Sequence, residues 1–173
     1  MKTLTAVLLL LLVPAALIAQ QGTSAADEAA RFLSMYNTLF QRLNTISSEA
    51  QWKALRDGID RIVRAKMGAL LVLGDSPDVL GICSGGFLLD TKFTPPRLSE
   101  LAKMDGAILL AADGSRIARS NVHLTPKASI PTSETGTRHR TAERVARGLD
   151  VPVITVSAAM STITVFAGEQ KHT

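Results

Sequence analysis

Gly136-Thr137-Arg138-His139-Arg140-Thr141-Ala142-Glu143-Arg144 sets hydroxyls, an imidazole and several guanidiniums at a helix start, and its neighbours take their meaning from it. Upstream, Ile130-Pro131-Thr132-Ser133-Glu134-Thr135-Gly136 is rich in turn formers, and Pro131 and Gly136 argue against a helix there. Downstream, Arg138 to Arg147 contains good helix formers and meets Gly148, the residue type expected just past a helix end. A helix is therefore predicted to begin near Thr137. The first amides of a helix lack intrahelical partners and its dipole favours negative charge, so this end suits an anion. Arg138 and Arg140 add forked donors that match phosphate oxygens, which makes the segment a candidate polyphosphate cradle. Charge alone favours a solvated basic helix with a threonine cap.

The 173 residues suffice for one ordinary domain with some excess, and with 46% hydrophobic and 20% charged residues the chain is globular. The net charge of +4 is modest, and much of the arginine sits near the segment above. That fits a local anion site better than a duplex-DNA surface, which needs a broad basic stripe. Cys83 is the only cysteine, so an intrachain disulfide and a cysteine-based zinc site are excluded; it is most simply a small core residue.

Residues 1–20 read as a signal peptide or anchor, with Lys2 as the charge and Ala6 to Ile18 as a short apolar core. Residues 21–54 read as a helical extension, with Phe32, Met35, Tyr36, Leu39, Phe40 and Leu43 on one stripe. Arg31-Phe32-Leu33-Ser34-Met35-Tyr36-Asn37 and Ala50-Gln51-Trp52-Lys53-Ala54 weakly resemble the mature start of secreted peptidases of the angiotensin-converting-enzyme type. The His-Glu-x-x-His zinc helix of those enzymes is absent, so none of their chemistry follows.

From Leu55 the character changes. Leu55, Ile59, Ile62 and Val63 predict an amphipathic helix over 55–66, followed by a strand at Ala69-Leu70-Leu71-Val72-Leu73 and a turn at Gly74 to Pro77. Val79 to Cys83 reads as the hairpin partner of that strand, with Gly85-Gly86 as a loop and Arg97 to Lys103 as a helix entered through Pro95-Pro96. Ala107 to Leu110 and Arg116 to Val122 read as strands joined at Asp113-Gly114, a two-residue hairpin signal. Val151 to Ser157 and Thr162 to Phe166 are further strands around a turn at 158–161. The sum is an α/β domain with a mixed β-sheet flanked by helices, lacking the regular alternation of a Rossmann unit.

Asp105 sits where a strand begins, beside a glycine that lets a ligand or backbone come close. A carboxylate there could hold Mg²⁺ or Mn²⁺, which accept one or two carboxylates and fill their shells with water and phosphate oxygens. An Asp-Gly turn without a ligand is the plainer alternative, and His123 and His139 are equally open.

Asp105-Gly106-Ala107 and Arg138-His139-Arg140 resemble the two signature motifs of diadenylate cyclase domains. The resemblance runs from about Leu55 to Gly168 and includes Gly114-Ser115-Arg116-Ile117, Asn121-Val122-His123-Leu124 and Ser129-Ile130-Pro131-Thr132. Within that family it is nearest the branch found at the N-terminus of the bacterial DNA-integrity scanning protein, to which Gly136 to Arg144 is highly specific. It implies condensation of two ATP molecules into cyclic di-AMP with release of two pyrophosphates, in a face-to-face homodimer or higher homo-oligomer with Mg²⁺ or Mn²⁺. It implies that Asp105, Arg138, His139 and Arg140 are catalytic and that Asp105 is the metal ligand. Gly106, Ala107, Leu124, Thr137, Arg138, His139, Arg140, Thr141 and Ser157 would contact nucleotide, with Leu124 on the adenine side.

Residues 55–173 would then be a cyclase domain shorter at its C-terminal end than the scanning protein, whose helical spine and DNA-binding domain have no counterpart here, so no DNA binding is expected. The resemblance implies a cytoplasmic location, whereas the signal-like segment implies a secreted or periplasmic one. The competing readings are a non-catalytic domain that binds ATP or cyclic di-AMP, from a fused or degenerate gene, and an exported α/β domain with a structural role.

Overall fold

The computed structural model describes residues 48–160 and 162–173. The signal segment expected at 1–20, the helical extension up to residue 47 and most of the peptidase-like stretch lie outside the described residues. Among the described residues, no helix is long and apolar enough to cross a membrane.

Helix α1 spans Glu49–Arg64 and buries Leu55, Ile59 and Ile62, one stripe at helical spacing. It starts six residues before the predicted Leu55, so the expected boundary between extension and domain falls inside one helix. Strand β1 (Ala69–Leu73) follows and is buried at all five positions. A short helix, α2 (Pro77–Gly81), then occupies the place where a hairpin partner was expected. The Ser76 hydroxyl accepts from the Val79 amide at 3.4 Å and proline stands in the first turn, so the local sequence is a capped helix entry rather than a strand.

The remaining elements are β2 (Cys83–Ser84), β3 (Phe87–Lys92), α3 (Pro95–Leu101), β4 (Ala107–Leu110), β5 (Arg116–Leu124), α4 (Thr137–Leu149), β6 (Val153–Ser157), β7 (Thr162–Ala167) and β8 (Gln170–His172). The β4–β5 connection is longer than a two-residue turn, closing with the Ala111 amide on the Arg116 carbonyl at 2.9 Å. Helix α4 runs through Gly148, and the left-handed residue that ends it is Asp150. Gly148 lies against the Ile130 side chain, and a Cβ there would lie 2.6 Å from Ile130 Cδ1.

The sheet is mixed, as the sequence predicts: its order is β2-β5-β4-β1-β6-β7-β8, with β3 also paired to β5. β1 and β4 are parallel, and β1–β6, β4–β5 and β6–β7 are antiparallel. Leu70 and Val72 join Ala142, Val145 and Ala146 of α4 in one buried cluster. Strand alternation sends Leu71 to the opposite face, where its complete burial requires a second layer. Helices α1 and α3 supply it, so closely packed that a Cβ on Gly58 would lie 2.8 Å from Leu98 Cδ2.

The registers Ala107↔Val122, Ala69↔Val156 and Ser157↔Thr162 bring the starts of β1, β4 and β7 and the ends of β5 and β6 to one rim. At the opposite rim Arg116 ties the loop after β1 to strand β3, meeting Asp75 at 2.6 Å and Asp90 at 2.7 Å.

Candidate functional site

The rim that gathers these strand ends also carries Asp105, Gly106, Ala107 and Ser157. Asp105 is exposed, and no hydrogen bond or ion pair to another described residue engages its carboxylate. Its backbone is fixed nonetheless: the Asn121 side-chain amide donates to the Asp105 carbonyl at 2.6 Å. Asn121 adopts a left-handed φ of 56° at an irregularity in the β4–β5 register, which turns its side chain toward the loop. Gly106 has φ 93°, and a Cβ there would lie 2.9 Å from both the Asn121 carbonyl carbon and the Val122 oxygen. We therefore expect Gly106→Ala to lose more than about 2 kcal/mol, because strain and backbone collision add and neither atom belongs to a flexible side chain. Urea unfolding at constant slope measures this, and a loss below about 0.5 kcal/mol would contradict the close approach.

Helix α4 begins at Thr137 as predicted, with Gly136 as N-cap. No side chain caps it and no acidic residue lies in its first turn, so its leading amides and dipole face an uncompensated space. Arg138 is half-buried and lies over Gly68, at the start of β1. No hydrogen bond or ion pair to another described residue engages its guanidinium. His139 is half-buried and meets the Phe166 ring edge-on at 6.3 Å. Arg140 is exposed, Thr137 is exposed at the first helical position, and Thr141 is half-buried. The Ser157 hydroxyl accepts from the Met160 amide at 3.4 Å, holding the β6–β7 turn.

Two of the nominated residues are committed to the interior. Ala107 is fully buried in β4, and Leu124 is buried in the core cluster at the end of β5. Cys83 is half-buried against that cluster rather than within it, and its thiol donates to the Val79 carbonyl at 3.1 Å.

Sequence reasoning missed the support beneath the helix start. Glu143, 4% exposed, accepts from the Thr132 hydroxyl, from the Ser133 amide at 3.0 Å and from the Ser133 hydroxyl at 3.4 Å. Arg147 pairs with Glu143 at 3.0 Å and donates to the Pro131 carbonyl, and Arg144 donates to the Ile130 carbonyl, both at 2.9 Å. Burial raises the Glu143 carboxyl, but the Thr132 hydroxyl, the Arg147 charge and Ser133 outweigh it and hold it below its ordinary value. The segment leading into α4 is thus clamped to the helix it precedes. A glutamate four residues before an arginine was a visible signal for that pair; the loop partners were not visible.

A cavity of about 780 Å³ lies elsewhere, between α1 and α3, lined by residues of both charge signs including Asp57, Arg61, Glu100 and Lys103. It touches none of the residues above. Among the described residues, no group of three or more His, Cys, Asp or Glu side chains could hold a metal by itself. A site with one carboxylate, Asp105, fits a hard cation that takes its other oxygens from phosphate and water.

The family model for the DisA bacterial checkpoint controller nucleotide-binding (DAC) domain matches residues 56–171. The chain is 53% identical to the DNA integrity scanning protein DisA of Corynebacterium efficiens over 129 residues, which are 75% of this chain and 36% of that protein. It is 56% identical to DisA of Symbiobacterium thermophilum over 119 residues, 69% of this chain and 34% of that one. The chain thus spans about a third of the length of the curated relatives it matches. Among solved structures, DacA from Staphylococcus aureus, a double mutant, superposes with a TM-score of 0.57 at 22% identity, covering 72% of this chain and 88% of that one. A hypothetical membrane spanning protein from Bacillus cereus superposes with a TM-score of 0.61 at 21% identity, covering 72% of this chain and 63% of that one. Both likenesses concern the fold.

Proposed function

Because this chain belongs to the DisA-type family of diadenylate cyclase domains, we propose that it condenses two ATP molecules into cyclic di-AMP and releases two pyrophosphates. The observation that carries this reading is the uncapped start of α4, whose Arg138 reaches the rim that also carries Asp105-Gly106. In the reaction each 3′-hydroxyl attacks the α-phosphate of the opposite ATP: an O–P bond forms, the α–β phosphoanhydride breaks, and the hydroxyl proton passes to solvent.

The protein's task is positioning and charge neutralisation, and covalent help from a side chain is unnecessary. The amides of Thr137 to His139 and the guanidiniums of Arg138 and Arg140 bind phosphate oxygens, and His139, steadied by Phe166, donates from the same turn. Thr137, Thr141 and Ser157 add hydroxyl contacts, Gly106 admits the nucleotide, and Ala107 and Leu124 shape the wall behind it. Asp105 would hold Mg²⁺ or Mn²⁺, which supplies further neutralisation of phosphate charge.

One domain holding one ATP cannot close a two-nucleotide ring, so two copies face each other across this rim. Met104 beside Asp105 and Met160 in the β6–β7 turn, 37% and 66% exposed, give that face apolar contact area.

The test is incubation of the full chain with ATP and Mg²⁺ or Mn²⁺ and detection of product by mass spectrometry. Cyclic di-AMP formed at a rate that rises with dimer content is the expected result. ATP bound by a folded dimer without product would favour the non-catalytic binding domain instead.

A further inference from the structure

We propose that Gly68 is a positioning residue for Arg138, lacking a side chain so that the guanidinium can lie across the start of β1. This rests on the reading of Arg138 as a phosphate ligand. An ideal Cβ on Gly68 would stand 2.3 Å from Arg138 Nη1, 3.1 Å from Cζ and 3.4 Å from Nη2, so the two cannot coexist. The backbone does not demand glycine there: Gly68 is not among the glycines with a positive φ. What requires glycine is the arginine. Gly68 directly precedes β1, whose five residues are buried and beside which β4 begins and β6 ends at the same rim. The contact therefore references a flexible side chain to a fully buried strand of the sheet. An arginine loses considerable rotamer freedom when it binds an anion, and a seat that restricts it beforehand lowers that loss.

The atoms that a Gly68 Cβ would meet are the far end of a long side chain, so alanine is accommodated by moving Arg138 rather than by deforming the sheet. The fold should then survive while the site changes. With the full chain, titration calorimetry with Mg²⁺ and ATP should show Gly68→Ala binding about 10- to 100-fold more weakly, the factor that one charge-assisted hydrogen bond carries. Its thermal midpoint should stay at or slightly above that of the wild type, since alanine restricts the unfolded chain. Arg138→Ala should weaken binding similarly, and adding Gly68→Ala to it should weaken binding no further.

Wild-type affinity in Gly68→Ala overturns the proposal. So does a further loss in the Arg138→Ala background, which would mark general damage to the sheet rather than displacement of one guanidinium. A wild-type chain that binds no ATP would sink the cyclase reading and this assignment with it; normal wild-type binding with an unaltered Gly68→Ala variant would overturn the Gly68 role alone.

Discussion

Asp105→Asn is expected to bind ATP within about tenfold of the wild type while its kcat falls at least about 10³-fold, the scale set by loss of a group that neutralises transition-state charge. The substitution changes little else. The Asp105 side chain is exposed, and the contact that fixes this residue uses its backbone carbonyl, which asparagine retains. Stability should therefore stay within about 0.5 kcal/mol. The neutral amide keeps the shape but lacks the charge that draws a hard cation. Rates from mass spectrometry, with urea unfolding as control, make the comparison, and kcat within tenfold of the wild type would remove Asp105 from its metal-holding role.

Glu143→Ala is expected to cost about 3 kcal/mol, the lower end for breaking a buried ion pair, because Arg147 retains the Glu169 carboxylate at 3.1 Å and the Pro131 carbonyl. The loss strands the Thr132 hydroxyl and the Ser133 amide beside a cavity and loosens the segment between Pro131 and Gly136, which leads into α4. ATP affinity should fall with stability. The pH dependence separates charge from packing. The Glu143 carboxyl is held below its ordinary value, so the folded state binds this proton more weakly than the unfolded chain does. The stabilisation is fully present above the unfolded value of about 4.3 and is lost as pH falls through the lower folded value. Glu143→Gln, which keeps the volume, should therefore be less stable than the wild type at pH 7 and approach it near pH 3. An equal gap at both pH values would show that the carboxylate charge contributes nothing.

The elements most legible in the sequence carry their cause locally. The helix from Thr137, the strands Ala69–Leu73 and Val153–Ser157, and the Asp105-Gly106 turn all follow from residue spacing and turn chemistry. Misreadings arose where two local signals competed. Apolar Val79 to Cys83 suits a strand, yet Ser76-Pro77 begins a helix, and the cap decides. Gly148 resembles a helix stop, yet the helix runs on to Leu149 and the left-handed residue that ends it is Asp150. Strand β3 has a mixed polar pattern and exists because β5 offers it an edge.

By itself the sequence determined the chemistry available at this rim: one carboxylate beside a glycine, and one helix start rich in guanidiniums with an imidazole between them. Residue type and short-range spacing suffice for that, because helix entry and turn formation are settled over a few residues. Folding is what lays Arg138 on Gly68, sets Asn121 to hold Asp105 and brings Thr132 and Ser133 to Glu143. These partners are 70, 16, 11 and 10 residues apart in the order given, by subtraction of their numbers. Contacts of that kind depend on strand register and on how helices seat on the sheet, which are set by the packing of the whole core and not by any one stretch of chain.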